Sequence, residues 1–291
     1  MSRVAAFGAA SWNTMIRVAA FPAPEPGTIF PPGWHETIGS SGAGKAMNLA
    51  RLGVDVTLHA LIGDDEAGRR IRDGLRRAGV TLDAVTDPTG TARHVNLMDP
   101  AGRRLSFLLH TGDATARFDG SDVERLVAAA AEVLVAITDA CRPVLGIARG
   151  RGKRTWTDLH ATDGEREWER EFWTADRVFL SGERLGDPRP FMERLIRDGR
   201  ELVVCTLAER GALALTADGR WIDVAATPVE RIVDTNGAGD AFLAGVIAGE
   251  LRGLPIERSL AFAAHVAALA VQSPDLAPTE PVDVEALLSA G

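Results

Sequence analysis

Cysteine is scarce: Cys141 and Cys205 are the only two in 291 residues. They lack the paired close spacings of a zinc site and are too few for a disulfide framework, so both read as reduced core residues. Positive charge is not in excess either. With 32 Lys plus Arg against 40 Asp plus Glu, the net charge is −8, which disfavours a broad duplex-DNA surface, because phosphate binding needs clustered cations. Small anions held by a few backbone amides are not excluded. Long hydrophobic runs are also missing. The longest apolar stretch, Leu126 to Ile147, is broken by Glu132, Asp139, Arg142 and Pro143, which rules out a bilayer span. The opening run Val4 to Ala10 has the length of a buried strand, and no cysteine-rich secreted sequence follows it as it would a signal peptide. The expectation is a cytoplasmic protein with no membrane and no nucleic-acid partner. Internal repeats, low-complexity tails and charge blocks are absent, and the mixed charges of Glu165 to Glu171 read as a solvated helix face.

What the chain does have is 46% hydrophobic residues, enough to bury a core, arranged as short apolar runs alternating with amphipathic segments. That alternation predicts an α/β fold, a mainly parallel sheet flanked by helices, within one domain spanning 1–291. Val54 to Ile62 reads as a strand and Glu66 to Ala78 as its helix, with Ile71, Leu75 and Ala78 on one face and Gly79 as the stop. Further strands are expected at Val133 to Ile137, Thr155 to Leu159, Val178 to Leu180 and Leu202 to Thr206. Ala212 to Thr216 and Trp221 to Val224 form a closing hairpin around the Asp218-Gly219 turn. Two segments, approximately 14–38 and 92–110, break the rhythm. The first is rich in Pro and Gly from Phe21 to Ile38, and the second turns at Asp99-Pro-Ala-Gly102. Both read as parts of an antiparallel β flap, a lid over a cleft.

The most informative segment runs from Val233 to Ala248, where an apolar strand meets the Gly-rich loop Asp234-Thr-Asn-Gly-Ala-Gly-Asp240 at the start of an apolar helix. Gly237 and Gly239 free the backbone to aim consecutive amides inward beside the positive end of the helix dipole, and phosphate is the natural guest. Asp240 at the helix start has two readings: a base for an attacking hydroxyl, or a helix cap.

The loop Asp234 to Asp240 resembles the signature of the ribokinase, or PfkB-type, carbohydrate kinases, and four further blocks agree in order. These are Gly39-Ser-Ser-Gly-Ala-Gly-Lys-Ala-Met-Asn-Leu-Ala-Arg-Leu-Gly53, Ile62-Gly-Asp-Asp-Glu-Ala-Gly68, Pro88-Thr-Gly-Thr91 and Cys205-Thr-Leu-Ala-Glu-Arg-Gly211. The resemblance implies ATP-dependent phosphorylation of an alcohol on a sugar or nucleoside, with Mg2+ carried on the ATP and the protein ligands of the metal left unassigned. A monovalent cation requirement is left open. It also implies Asp240 as general base and the Gly237, Ala238 and Gly239 amides as an anion hole. The nucleotide would be bordered by Thr206, Ala208, Glu209, Gly211, Ser181 and Thr235, with Ala264 and His265 on the helix Leu260 to Val271 approaching the adenine. On the acceptor side it implies Gly39, Ser40, Ser41, Gly42 and Gly44, with Asn13 and Met15 at the end of the first strand. A homodimer through the lid is also suggested.

The departures fall mostly on the acceptor. Met15 stands where the family carries a carboxylate, and a thioether cannot replace it. Ser41 replaces a Lys and Gly44 an Asn, so ribose bound in the usual way is not expected. Asn13, Asp139 and His110 are the candidate replacements, each also readable as a turn or core hydrogen bond. On the nucleotide side Ala208 replaces a Gly, and Leu180-Ser-Gly-Glu-Arg184 replaces Asn-x-x-Glu, leaving Ser181 and Glu183 as partial substitutes. Gly39 to Ala46 nearly spells a P-loop, but Ala46 lacks the magnesium-binding hydroxyl and no apolar strand precedes it. Lys45 then reads as a surface or cleft residue. The rival functions are a nucleoside kinase of the same fold and a catalytically weak sensor of sugar or nucleotide.

Overall fold

The computed structural model describes residues 3–289, so the first two and last two residues of the 1–291 range lie outside it. The chain opens with strands β1 (Arg3–Phe7), β2 (Ser11–Arg17) and β3 (Gly33–Gly39), then helix α1 (Ser41–Arg51), β4 (Asp55–Gly63), α2 (Glu66–Arg77) and β5 (Thr81–Asp87). Strands β6 (Arg93–Met98) and β7 (Arg104–His110) follow, then α3 (Gly120–Ala129), β8 (Glu132–Ala136), α4 (Arg142–Gly150) and β9 (Arg154–Asp158). The second half holds β10 (Arg177–Ser181), α5 (Arg189–Arg197), β11 (Leu202–Thr206), β12 (Ala212–Thr216), β13 (Trp221–Val224), α6 (Ala238–Leu251), α7 (Ile256–Ala270) and α8 (Val284–Ser289). None of the described helices is long and apolar enough to cross a membrane.

Helix α2 shows how the local sequence builds these elements. Asp65 caps it by accepting the Gly68 N–H at 2.7 Å, Ile71 and Leu75 bury one face, and Gly79 leaves it at φ +87°, a conformation other residues resist. Each of those buried side chains contributes about 1.5–3 kcal/mol.

Nine strands form the main sheet in the order β13-β12-β11-β10-β9-β8-β1-β4-β5. All neighbours are parallel except β11–β12 and β12–β13, the expected closing hairpin. Its two faces carry separate apolar layers: α1, α2, α6 and α7 pack on one, α3, α4 and α5 on the other. Strand β1 sits between β8 and β4, so the strand order reverses there. A crevice opens beyond the carboxyl ends of the strands at such a point.

The two irregular segments form a second sheet, ordered β3-β2-β6-β7. It is mixed, because β2 and β6 run parallel, and β2 begins earlier than expected, at Ser11, directly after β1. Side chains alternate along each strand. Register pairs Met15 with His35 on one side and Asn96 on the other, and Asn96 with Ser106. These residues therefore share one face with Asn13, Arg17, His94, Arg104 and Leu108.

One correction lies at 165–171. This stretch holds a single short 3-10 turn, Glu167–Glu169, in place of a helix, and Glu169 is buried, accepting from Thr162 at 2.6 Å and Arg166 at 2.9 Å. Cys141 and Cys205 are buried and unpaired to each other, and burial pushes both thiols up to about 12.

Candidate active site

Asp240 lies in the first turn of α6, which begins at Ala238 after Gly237 at φ +87°. A Cβ on Gly237 would lie 2.9 Å from the Leu276 carbonyl oxygen, itself held by the Asn48 side-chain amide at 2.8 Å. The loop can take this shape only with glycine there. The amides of Gly237 and Gly239 have no acceptor among the described residues, whereas Ala238 donates to the Thr235 carbonyl at 3.4 Å. Of the three amides expected to form an anion hole, those of Gly237 and Gly239 are therefore the two left without an acceptor.

The Asp240 carboxylate makes no capping bond to its own helix. It turns instead to α1, where Oδ1 accepts from Ser41 Oγ at 2.6 Å and from Lys45 Nζ at 2.5 Å. Oδ2 faces Gly44, where a Cβ would come within 2.6 Å of it. Lys45 is a correction to the sequence reading. It is 3% exposed, and its ammonium also pairs with Asp158 Oδ2 at 2.9 Å. Burial works against that charge, but Asp158 and Asp240 outweigh it and hold Lys45 above its ordinary value. Burial would raise Asp158, but His160, Lys45 and the His160 backbone N–H hold its carboxyl far below the usual carboxylate range.

The Gly-rich block is built for close approach. Gly42 lies so near Ala9 that a Cβ would sit 2.6 Å from its carbonyl oxygen, and Gly39 leaves room for the buried Asn13 amide. Ser40 takes φ +72° and donates to Ser11 at 2.8 Å, while Ser11 donates to Asn13 Oδ1 at 2.8 Å. Met15 is 2% exposed and receives the Asn96 amide on its sulfur at 3.3 Å. It is a packed element of the second sheet, not an open pocket wall. Asp139 lines a cavity of about 190 Å³ with Gly8, Ala9 and Thr138, but its carboxylate is paired with Arg142 at 2.6 Å. His110 is in contact with Thr89 at 3.2 Å, away from that cavity's lining.

On the nucleotide side, Ser181 and Thr206 are neighbours across β10 and β11. Ser181 Oγ accepts the Glu183 N–H at 3.3 Å, and Thr206 donates to the Leu180 carbonyl at 3.4 Å. Ala208 is held at φ +53°, where a glycine would be free of the roughly 1–2 kcal/mol that a Cβ costs. Glu209 beside it is exposed. Gly211 is enforced: a Cβ would meet the Val224 carbonyl oxygen at 1.9 Å. Ala264 is buried in α7, and His265 Nδ1 is in hydrogen-bond contact with the Ala261 carbonyl of its own helix at 3.0 Å.

The second sheet reaches the Asp234–Asp240 loop directly. Thr235 donates to the Gly102 carbonyl at 2.7 Å, and Arg104 donates to Asn236 Oδ1. Burial raises the Asp234 carboxyl, against the nearby Asn236 N–H and the charges of Arg104, His35 and Arg17. Those three basic side chains thus belong to the face turned toward the loop. Residues 1–144 and 178–283 match the pfkB family of carbohydrate kinases.

The chain belongs to the PfkB family of carbohydrate kinases. It is 35% identical over 279 residues to the acarbose 7(IV)-phosphotransferase of Actinoplanes sp., covering 93% of this chain and 92% of that protein. It is 30% identical to the ATP-dependent ribose-1-phosphate kinase of Halopiger xanaduensis, over 92% of each. Among solved structures, a microbiome-derived acarbose kinase, Mak1, superposes with a TM-score of 0.88 at 29% identity, covering 99% of both chains. The kinase is thus a sugar phosphotransferase with a ribokinase-like fold.

Sequence reasoning assigned no role to Lys45, Asp158, Asn96, His35, His94 or Arg104. A signal existed for Asn96, His94 and Arg104: the segments 92–98 and 104–110 place polar residues at alternate positions, the mark of a sheet with one wet face.

Proposed function

We propose that this kinase transfers the γ-phosphoryl group of ATP to a carbohydrate hydroxyl, with Asp240 as general base and the Gly237–Gly239 loop as anion hole. The observation that carries this reading is the placement of Asp240: its carboxylate points across to α1, with Oδ2 against Gly44 and without a hydrogen-bond donor among the described residues, beside a helix N-terminus with free amides. The hydroxyl proton passes to the carboxylate while the amides stabilise charge on the transferring group. Ser181, Thr206, Glu209 and Gly211 border the nucleotide, with Thr235 beside its phosphates and Ala264 and His265 toward its base. The described residues hold no group of three or more His, Cys, Asp or Glu that could cage a metal. This set of donors fits magnesium, which binds through phosphates plus one or two protein oxygens, here Glu183 and Ser181. Bound there, it neutralises phosphate charge.

For the acceptor we propose an oligosaccharide of the acarbose type. The lid face over the loop offers His35, His94 and Ser106, hydrogen-bonding groups in place of the family's carboxylate, around the buried Asn96. Burial, then the Arg104 charge, pushes His94 down, leaving a neutral ring that can donate or accept to a sugar hydroxyl. The test is ADP release from ATP and magnesium against acarbose, maltooligosaccharides, ribose, sugar phosphates and nucleosides. Stimulation by acarbose-type oligosaccharides alone supports the assignment; stimulation by nucleosides alone overturns it.

Arg104 and Thr235 latch the lid to the loop, making the main and second sheets one working domain. Arg104→Met should raise the KM for ATP about fivefold or more, as expected for losing one hydrogen bond from a charged donor. An unchanged KM would show that the latch does not hold the loop.

The opposite face of β7 presents Leu105, Phe107 and Leu109, the last 65% exposed, along an unpaired sheet edge. An apolar row on an open edge invites pairing, and we propose a homodimer through this strand. Sedimentation should show a dimer that Phe107→Asp converts to monomer; a wild-type monomer refutes it.

A further inference from the structure

Lys45 is the most deeply buried cation near Asp240, and neither the anion hole nor the acceptor site uses it. Its ammonium touches two carboxylates brought from distant parts of the chain, Asp158 at the end of β9 and Asp240 on α6. Ser41 stands one turn earlier on the same helix and donates to the same Asp240 oxygen. Both donors engage Oδ1, leaving Oδ2, packed against Gly44, without a donor among the described residues.

We propose that Lys45 is a positioning residue that, braced by Asp158, fixes Asp240 so that Oδ2 alone receives the acceptor proton. This rests on Asp240 being the general base. In the step, the acceptor O–H bond breaks and its proton moves to Oδ2. The acceptor oxygen bonds to the γ-phosphorus, the bridging P–O bond breaks, and its electron pair leaves with ADP.

Asp158 makes the arrangement workable. A Lys45–Asp240 pair alone is neutral, and protonating Asp240 would strand a buried ammonium without a counter-charge, a costly state. With Asp158 the trio carries one net negative charge before transfer and none after it, and the Lys45–Asp158 pair persists throughout. Holding Oδ1 with two donors also prevents rotation of the carboxylate, and a displacement of about 1 Å at a reacting group can cost 10²-fold.

The test uses the full-length enzyme with the acceptor found by the ADP assay. Lys45→Met should lower kcat by roughly 10²-fold with the KM for ATP within about threefold, and Asp158→Asn should lower kcat about tenfold or more. In an Asp240→Asn background, Lys45→Met should cause no further loss, because it acts only through that carboxylate. Full wild-type kcat in Lys45→Met overturns the proposal, as does a loss that multiplies with that of Asp240→Asn, which would place Lys45 on the phosphoryl group itself. Calorimetric binding of magnesium-ADP, unchanged in Lys45→Met, shows that the variant is folded. If it does not fold, Lys45→Met/Asp158→Asn replaces it: removing one carboxylate with the cation should restore melting toward wild type while kcat stays low, and recovery of kcat overturns the proposal. Failure of the general-base reading looks different, since Asp240→Asn would then retain wild-type kcat.

Discussion

Asp240→Asn should lower acceptor-dependent ADP formation by roughly 10² to 10⁴-fold, the range for loss of a positioned general base. An amide is isosteric with the carboxylate but cannot take the hydroxyl proton. The fold should persist, because Lys45 keeps its ion pair with Asp158 at 2.9 Å, and ATP should bind nearly as before because the Gly237 and Gly239 amides are untouched. The result to look for is a collapse in kcat with little change in the KM for ATP. A variant retaining a tenth or more of wild-type kcat would show that Asp240 does not take the proton.

Gly44→Asn restores the residue that ribokinases carry at this position, and a purely sequence-based expectation is that it would return ribose binding. The structure argues for the opposite outcome. A Cβ at residue 44 falls 2.6 Å from Asp240 Oδ2, so any side chain must push the carboxylate or α1 away. A shift of this kind costs about 10²-fold in turnover. Asparagine is a slightly better helix former than glycine, so global melting should change little and the loss would be one of geometry. Steady-state kinetics on the native acceptor and on ribose, beside a melting curve, decide the matter. Ribose phosphorylation by Gly44→Asn at wild-type-like rates would mean that the α1–α6 spacing differs from the one described.

The residues legible in advance were those whose meaning is local. The spacing of Ile71 and Leu75 marks α2, the Asp218-Gly219 turn marks the β12–β13 hairpin, and Gly237 and Gly239 mark the turn that opens α6, because each depends on backbone geometry over a few neighbouring positions. Met15 was legible as a departure but not as a core residue, since its burial is set by the β3 and β6 strands on either side of it. Asp139 had two readings, an acceptor contact or a local hydrogen bond, and the partner that decides between them, Arg142, holds its carboxylate at 2.6 Å. Lys45 read as a surface or cleft residue because a lone lysine on a Gly-rich helix usually reaches solvent.

From sequence alone came the α/β architecture, a second β segment set apart from the main sheet, and the carbohydrate-kinase family through motifs such as the Asp234–Asp240 loop. Hydrophobic periodicity and glycine placement are short-range properties that survive without knowing what packs against what. Tertiary structure decided which groups meet around the Asp240 carboxylate. Lys45 and Ser41 reach Asp240 across 195 and 199 residues of chain, and no periodicity links them. Their pairing follows from α1 and α6 packing on the same side of the main sheet. There burial removes water, so charges from distant segments must satisfy one another.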